Sequence, residues 1–405
     1  MSAASAAGVS GVDVFRSPDY RRFWASGCVI YVARWVDLLT LGWLALELTG
    51  SPFMVGLAAF ARTAPMMAVG PFAGVVADQV SSGKVLLVTQ SGATATALAL
   101  AVLFGSGGGS YWTFVGLEVV LGVVFALDFP ARRTAVYALL GSSRVAQAMS
   151  LESVSMQIAK MVGPLLAGFC LARLGVTAAF LLLTALYAMA LAIFFGVHRR
   201  IARPNIPGAL SVGANLRAGL HAAWTNPTIR AVLLGTIAMN VLVFPYQNLL
   251  SVFARDVLAA GPAVLGGLVA AEGLGALIGA LVIAAQRAHL PHGRLFAAAI
   301  LAAPAIVAAF SQSRWLALCL ALLAILGLAE AAFAAMQSTL VLLAAPERVR
   351  GGTLGILSAC IGTQPLGTLA MGALAGIAGA PIAFTINALA ALAMTVPVAA
   401  SLFRR

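Results

Sequence analysis

A charged side chain at the centre of a bilayer costs roughly 2.5–3.5 kcal/mol on insertion scales, so a charge inside an apolar run is a candidate for chemistry by default. In this sequence Arg34, Asp37, Arg62, Lys160, Glu272 and Glu330 lie deep in such runs. Arg34 and Asp37 are three apart, near enough on one helical face to pair, either to neutralise each other or to work together. Arg62 and Lys160 either bridge to Asp37 or Asp128, or give a cavity a positive wall suited to an anionic or electron-rich substrate. Ser153, Gln157, Lys160 and Pro164 fall on one helical stripe, as do Glu330, Ala334 and Gln337. Glu272 and Glu330 have no basic residue inside any apolar run of their own half of the chain. An unpaired carboxyl in low dielectric takes up a proton readily, which is what a proton carrier needs. The alternative is a permanently neutral acid bonded to a backbone carbonyl. Asn240, Gln247 and Asn248 flank Pro245 and suit either substrate contact or polar helix–helix contact. Asp128, two residues before Pro130, reads as a gate. Glu118 lies nearer the end of its run and reads as wetted.

The elements that position these residues follow from composition. The sequence is 62% hydrophobic and 9% charged, with mean hydropathy +1.02. Lipid is therefore the solvent for most of it. Long Ala/Leu/Val runs argue for helices rather than the short alternating strands of a barrel. Twelve apolar stretches have spanning length, at 23–48, 53–77, 85–104, 111–131, 145–171, 177–197, 231–253, 263–285, 295–310, 315–343, 353–377 and 382–403. The expected fold is an all-α membrane protein, with twelve transmembrane helices in two six-helix halves around a central cavity. Its parts are a polar segment 1–22, a bundle 23–197, a loop 198–230 and a second bundle 231–405.

The loop 198–230 holds five arginines and no acid, and Val212, Leu216, Leu220 and Trp224 share one helical face within it. That pattern suits a helix lying on the bilayer surface. The loops alternate in charge. The side that holds both termini and the central loop carries 18 Lys/Arg, the opposite side Arg173, Arg255 and Arg314. Both termini are thus expected in the cytoplasm, with the chain in the inner membrane. The net charge of +12 is then a topology signal, without bearing on nucleic acid. The first 22 residues lack an apolar core followed by a cleavage site and are not read as a signal peptide. Cys28, Cys170, Cys319 and Cys360 are single and lack metal or redox spacing. His289 and His292 sit in a basic loop without carboxylates and read as solvated rather than metal-binding.

Several motifs carry a family resemblance. Gly74 and Asp78 fit a G-x-x-x-D after the second stretch; of the basic residues that usually follow, Lys84 alone is kept. Gly163, Pro164 and Gly168 form a G-P-x-x-x-G element, in which proline removes a backbone hydrogen bond and the glycines allow close helix packing. Asp128 with Pro130 and Arg132, and Glu347 with Arg348 and Arg350, match further positions. The chain resembles the major facilitator superfamily, and within it the drug:proton antiporter branch that includes enterobactin and macrolide exporters. The resemblance implies alternating access about a midplane site between two repeated halves. It also implies gating by Gly74, Asp78, Lys84, Asp128, Arg132, Glu347, Arg348 and Arg350. The expected function is proton-coupled export of an organic small molecule, siderophore or drug-like, by a monomer without cofactor or metal. A symporter or a facilitator for a metabolite or lipid is the alternative. No nucleotide loop, metal cluster or Ser/His/Asp constellation points to an enzyme.

Overall fold

The computed structural model describes residues 13–201, 219–221, 224–286, 291–346 and 349–403, apart from the side chains of 13, 69–79, 142, 143 and 146. Its described elements are helical, beginning with a short 3-10 turn Asp13–Arg16. The helices are α1 (Pro18–Thr49), α2 (Pro52–Gln79), α3 (Ser82–Gly105), α4 (Tyr111–Leu140) and α5 (Ser142–Phe195). They continue with α6 (Pro227–Ala238), α7 (Leu250–Asp256), α8 (Pro262–Ala285), α9 (His292–Gln312) and α10 (Leu316–Ala344). Last come α11 (Arg350–Ile361), α12 (Gln364–Ala378) and α13 (Ala380–Phe403). Ten helical stretches among the described residues are long and apolar enough to cross a membrane. The chain is therefore a multi-pass membrane protein.

Local chemistry explains the boundaries. Ser17 caps α1 by accepting from the Tyr20 amide, and Pro18 opens its first turn. Gly50 ends it at φ 65°. The expected link between the fifth and sixth stretches shrinks to Gly175 alone. Its φ of 82° reverses the chain inside α5 and leaves two arms. Only glycine holds that left-handed conformation without strain. Between α6 and α7 the helix widens to a π turn at Met239–Val243 and tightens to 3-10 at Phe244–Leu249. Pro245 cannot donate to an i−4 carbonyl, which is the cause of the irregular stretch. The surface helix expected over 211–224 lies largely outside the described residues.

The outer surface is oily, with Phe169, Leu174, Leu343 and Ile377 exposed as lipid would require. Trp112 and Trp315 are also exposed, at the starts of α4 and α10. Both belong to the end of the bundle that carries Gly50, Gly175, Gly261 and Gly379, as expected of interfacial anchors. The first part of the chain, α1–α5, meets the second, α6–α13, toward this glycine-turn end. A Cβ on Gly56 of α2 would fall 2.9 Å from Gly372 Cα of α12, and one on Gly266 of α8 would fall 2.4 Å from the Pro164 carbonyl oxygen of α5. Arg255 Nη1 donates to the Leu46 carbonyl at 3.2 Å, joining α7 to α1.

Candidate functional site

Three buried charge clusters emerge, and glycines explain how each assembles. At Gly275 a Cβ would lie 1.8 Å from the Ala324 carbonyl oxygen, and at Gly327 one would lie 2.0 Å from that of Glu272. The backbones of α8 and α10 therefore touch, which brings Glu272 and Glu330 together. On the other side Gly273 admits the backbone of Lys160 from the first arm of α5. Lys160 Nζ lies 3.1 Å from Glu272 Oε1 and 2.7 Å from Glu330 Oε2. Gln247, on the 3-10 stretch after Pro245, donates to Glu272 Oε1 at 2.6 Å and to Glu330 Oε1 at 2.7 Å. The ammonium also faces the Trp35 ring at 5.6 Å. Two acids on one ammonium leave an excess negative charge when both are ionised.

This corrects two sequence expectations. Glu330 and Glu272 are not unpaired, because their partner comes from the other part of the chain. Lys160 pairs with neither Asp37 nor Asp128, and with two carboxylates on it the lysine makes no positive wall.

The second cluster lies inside α1–α5. A Cβ on Gly122 would fall 2.3 Å from the Arg62 carbonyl oxygen, so α4 presses on α2 and sets Glu118, one turn earlier, against the Arg62 head. Arg62 Nη2 and Nε donate to Asp37 Oδ2 at 2.9 and 3.1 Å, and Nε lies 3.2 Å from Glu118 Oε2. Glu118 and Asp37 have side-chain exposures of 0%. The reading of Glu118 as wetted is thereby overturned: helix packing seals it from both water and lipid. Arg34 does not pair with Asp37, which Arg62 has taken. Its guanidinium lies over the Phe125 ring, 3.7 Å from the centroid, where a delocalised cation meets the π face.

The third cluster is nearer the basic end. Arg132 Nε lies 3.3 Å from Asp128 Oδ2, Thr89 donates to Asp128 Oδ1 at 3.1 Å, and Arg132 faces Phe23. Tyr31 donates to Glu152 nearby. Lys84 and Arg350 are exposed, and Arg350 Nε donates to the Ala345 carbonyl. The surroundings of Gly74, the side chain of Asp78, and residues Glu347, Arg348 and His289 lie outside what is described.

Between the two parts of the chain lies a cavity of about 280 Å³. Its polar lining includes Arg34, Gln247, Asn248, Ser251, Gln364 and Thr368, with Trp35, Met156 and Leu265 among its apolar walls. Gln247 thus connects the cavity to the lysine cluster. Gln157 is half-buried on the same arm as Lys160. Asn240 and Gln337 do not line the cavity. Asn240 donates to the Thr236 carbonyl of its own helix, and Gln337 accepts from the Thr236 hydroxyl. Gly163, Pro164 and Gly168 act as a seat: Gly163 admits Trp35 and Val32 of α1, and Gly168 admits Pro262 and Gly266 of α8. Sequence reasoning missed Trp35, Ser251 and Thr368, which carry no signal beyond ordinary polar or aromatic character.

Residues 9–404 match the family model described as transmembrane secretion effector. The chain belongs to this family of major facilitator transporters. Among curated proteins it is similar to the staphyloferrin A transporter of Staphylococcus aureus, 23% identical over 64% of this chain and 66% of that one. An uncharacterized MFS-type transporter, y4rN of Sinorhizobium fredii, is 28% identical over 60% of each. The chain thus spans less than two thirds of the length of the curated relatives it matches. Solved structures with the same fold include a POT family transporter bound to 5-aminolevulinic acid, with TM-score 0.73 and 11% identity over 95% of this chain and 96% of that one. A bacterial homolog of the lysosomal transporter Spinster, inward-facing and unoccupied, gives TM-score 0.69 at 14% identity over 96% and 97%. At these identities the likeness is one of fold.

Proposed function

We propose that this transporter is a proton-coupled exporter of an organic small molecule of siderophore or drug-like kind, working by alternating access as a monomer in the inner membrane. Twelve spans in two six-helix halves account for its helices: α1 to α4 and the two arms of α5, then α6–α7, α8, α9, α10, α11–α12 and α13. The observation that carries the reading is Lys160, held at the join of the halves by Glu272 and Glu330 beside a polar cavity. The excess negative charge there is met by a proton or by a donor group of the cargo, and one excludes the other. That competition is the electrostatic basis of exchange. Arg34 faces the same cavity and meets a carboxylate or other acceptor, so the cargo carries both kinds of group. The resemblance to antiporters supports the direction, and the similarity to a siderophore transporter supports the class of cargo.

A symporter is the second reading, favoured by one observation. Arg34 lines the cavity beside the Arg62 cluster, so an anion seated on it favours protons on the carboxyls there. Inverted membrane vesicles offered a panel of siderophores and drugs separate the two. With an acidified lumen, the exporter concentrates a panel compound inside and collapses the pH gradient as it does so. Accumulation that requires an alkaline lumen would reverse the assignment to symport.

A further inference from the structure

The Arg62 cluster is not used by the exchange just described, and its geometry is unusual. One guanidinium serves two carboxyls, both fully buried. Both oxygens of Glu118 and the Asp37 Oδ1 atom are buried and accept no hydrogen bond. A carboxylate buried in that way loses its hydration and gains little back. The carboxyl groups of Asp37 and Glu118 converge on the same Arg62 nitrogen, with Asp37 Oδ2 and Glu118 Oε2 lying 3.1 and 3.2 Å from Nε. A single proton between them turns a repulsive contact into a bond and leaves one negative charge for Arg62. The remaining ionisable groups facing the pair are Arg34 on α1 and Tyr187 on the second arm of α5.

A second, separate cavity of about 30 Å³ adjoins this cluster. Arg34, Arg62, Tyr187, Thr89, Gln90 and Asp128 are among its lining residues. A water needs roughly 10–15 Å³ on this measure, together with two or more polar partners. The lining offers them, including the Gln90 amide nitrogen, which is buried and bonds to no protein group. The cavity runs inside the first half, and Arg34 stands between it and the 280 Å³ cavity, lining both. From Asp128 the polar chain continues to Arg132, toward the basic end.

We propose that Asp37 and Glu118 share one proton on Arg62 and form a second proton-binding site. The water-sized cavity connects this site, by way of Thr89, Gln90 and Asp128, to the basic side of the membrane. The proposal rests on the proton-coupled reading above and adds a proton route that does not cross the cargo cavity. The carboxyl O–H bond of Glu118 or Asp37 breaks as cavity water takes up the proton to become hydronium, which then gives the proton to an Asp128 carboxylate oxygen and returns to water. No other bond is made or broken.

Infrared difference spectroscopy of the purified full-length protein in lipid nanodiscs tests it without any transported compound. At neutral pH the wild type should show the C=O stretch of a buried carboxylic acid that is absent in Glu118→Gln and shifted or absent in Asp37→Asn. Glu330→Gln should leave that band in place. If Glu118→Gln does not fold, as judged by gel filtration, Asp37→Asn reads the same band. After transfer to D2O the band should shift in the wild type, and Gln90→Leu should slow the shift by about tenfold or more. An acid band unchanged in both Glu118→Gln and Asp37→Asn would overturn the site. Exchange equally fast in Gln90→Leu would overturn the route. The band with no pH-driven transport in vesicles would overturn the exporter reading and leave the site standing.

Discussion

Lys160 stands between two acids that approach from α8 and α10, and its removal strands both. Breaking a buried pair by deleting one partner costs about 3–5 kcal/mol, most of it the burden of the uncompensated charge. Lys160→Met should therefore lower the midpoint of thermal unfolding markedly. Lys160→Met combined with Glu272→Gln should recover part of the loss, because one stranded carboxylate fewer remains. Equal stability of Lys160→Met and the wild type across pH would show that the cluster carries no such burden. Each of these charges was legible in the sequence as an expensive one, but its partner was not. Depth along the helices would have found it. At 1.5 Å per residue, Lys160, Glu272 and Glu330 lie about 15–22 Å from the glycine-turn ends of their helices. Asp37, Arg62 and Glu118 lie about 10–18 Å from the same end. Reading each half as self-contained hid the first match, and reading Glu118 by its place near a helix start hid the second.

Helix contacts decide which charges meet. The G-P-x-x-x-G element announced close packing in the sequence, and Gly163 and Gly168 do admit α1 and α8. Nothing in the sequence said which helices those would be, since a glycine marks a close approach without naming the neighbour. The π and 3-10 turns around Pro245 were half legible: proline forbids a regular helix there, but the lengths of the turns come from packing. These glycines make a prediction about opening. Leucine at Gly56 or Gly266 would press on Gly372 or on Pro164 across the join, so it should force the halves apart at the glycine-turn end. A cysteine replacing the buried Thr368 should then react with a membrane-impermeant thiol reagent applied from that side, several times faster than in the parent. An unchanged rate would mean that the contact does not hold this end shut.

For the molecule as a whole, hydropathy outlines the helices, and basic-loop asymmetry predicts their sidedness. The helical membrane fold was the most legible feature, because backbone groups in lipid have so few alternatives. The asymmetry predicts that a reporter joined after Phe403 is active in the cytoplasm and silent in the periplasm, and the opposite pattern would invert the topology. The cavity at the join was expected in outline, whereas its lining by Arg34, Gln364 and Thr368 depends on rotations that no periodicity in an all-apolar helix records. One proton falling through about 100 mV yields ~2.3 kcal/mol, enough for a cargo gradient of about 50-fold at ~1.4 kcal/mol per decade. The direct measurement reconstitutes the wild type and Glu330→Gln in liposomes with the compound that vesicles accept, and imposes a proton gradient. The wild type should concentrate the compound toward that ratio, while Glu330→Gln should exchange it down its own gradient and concentrate nothing. Accumulation by Glu330→Gln equal to that of the wild type would contradict the coupling assigned to Lys160, Glu272 and Glu330.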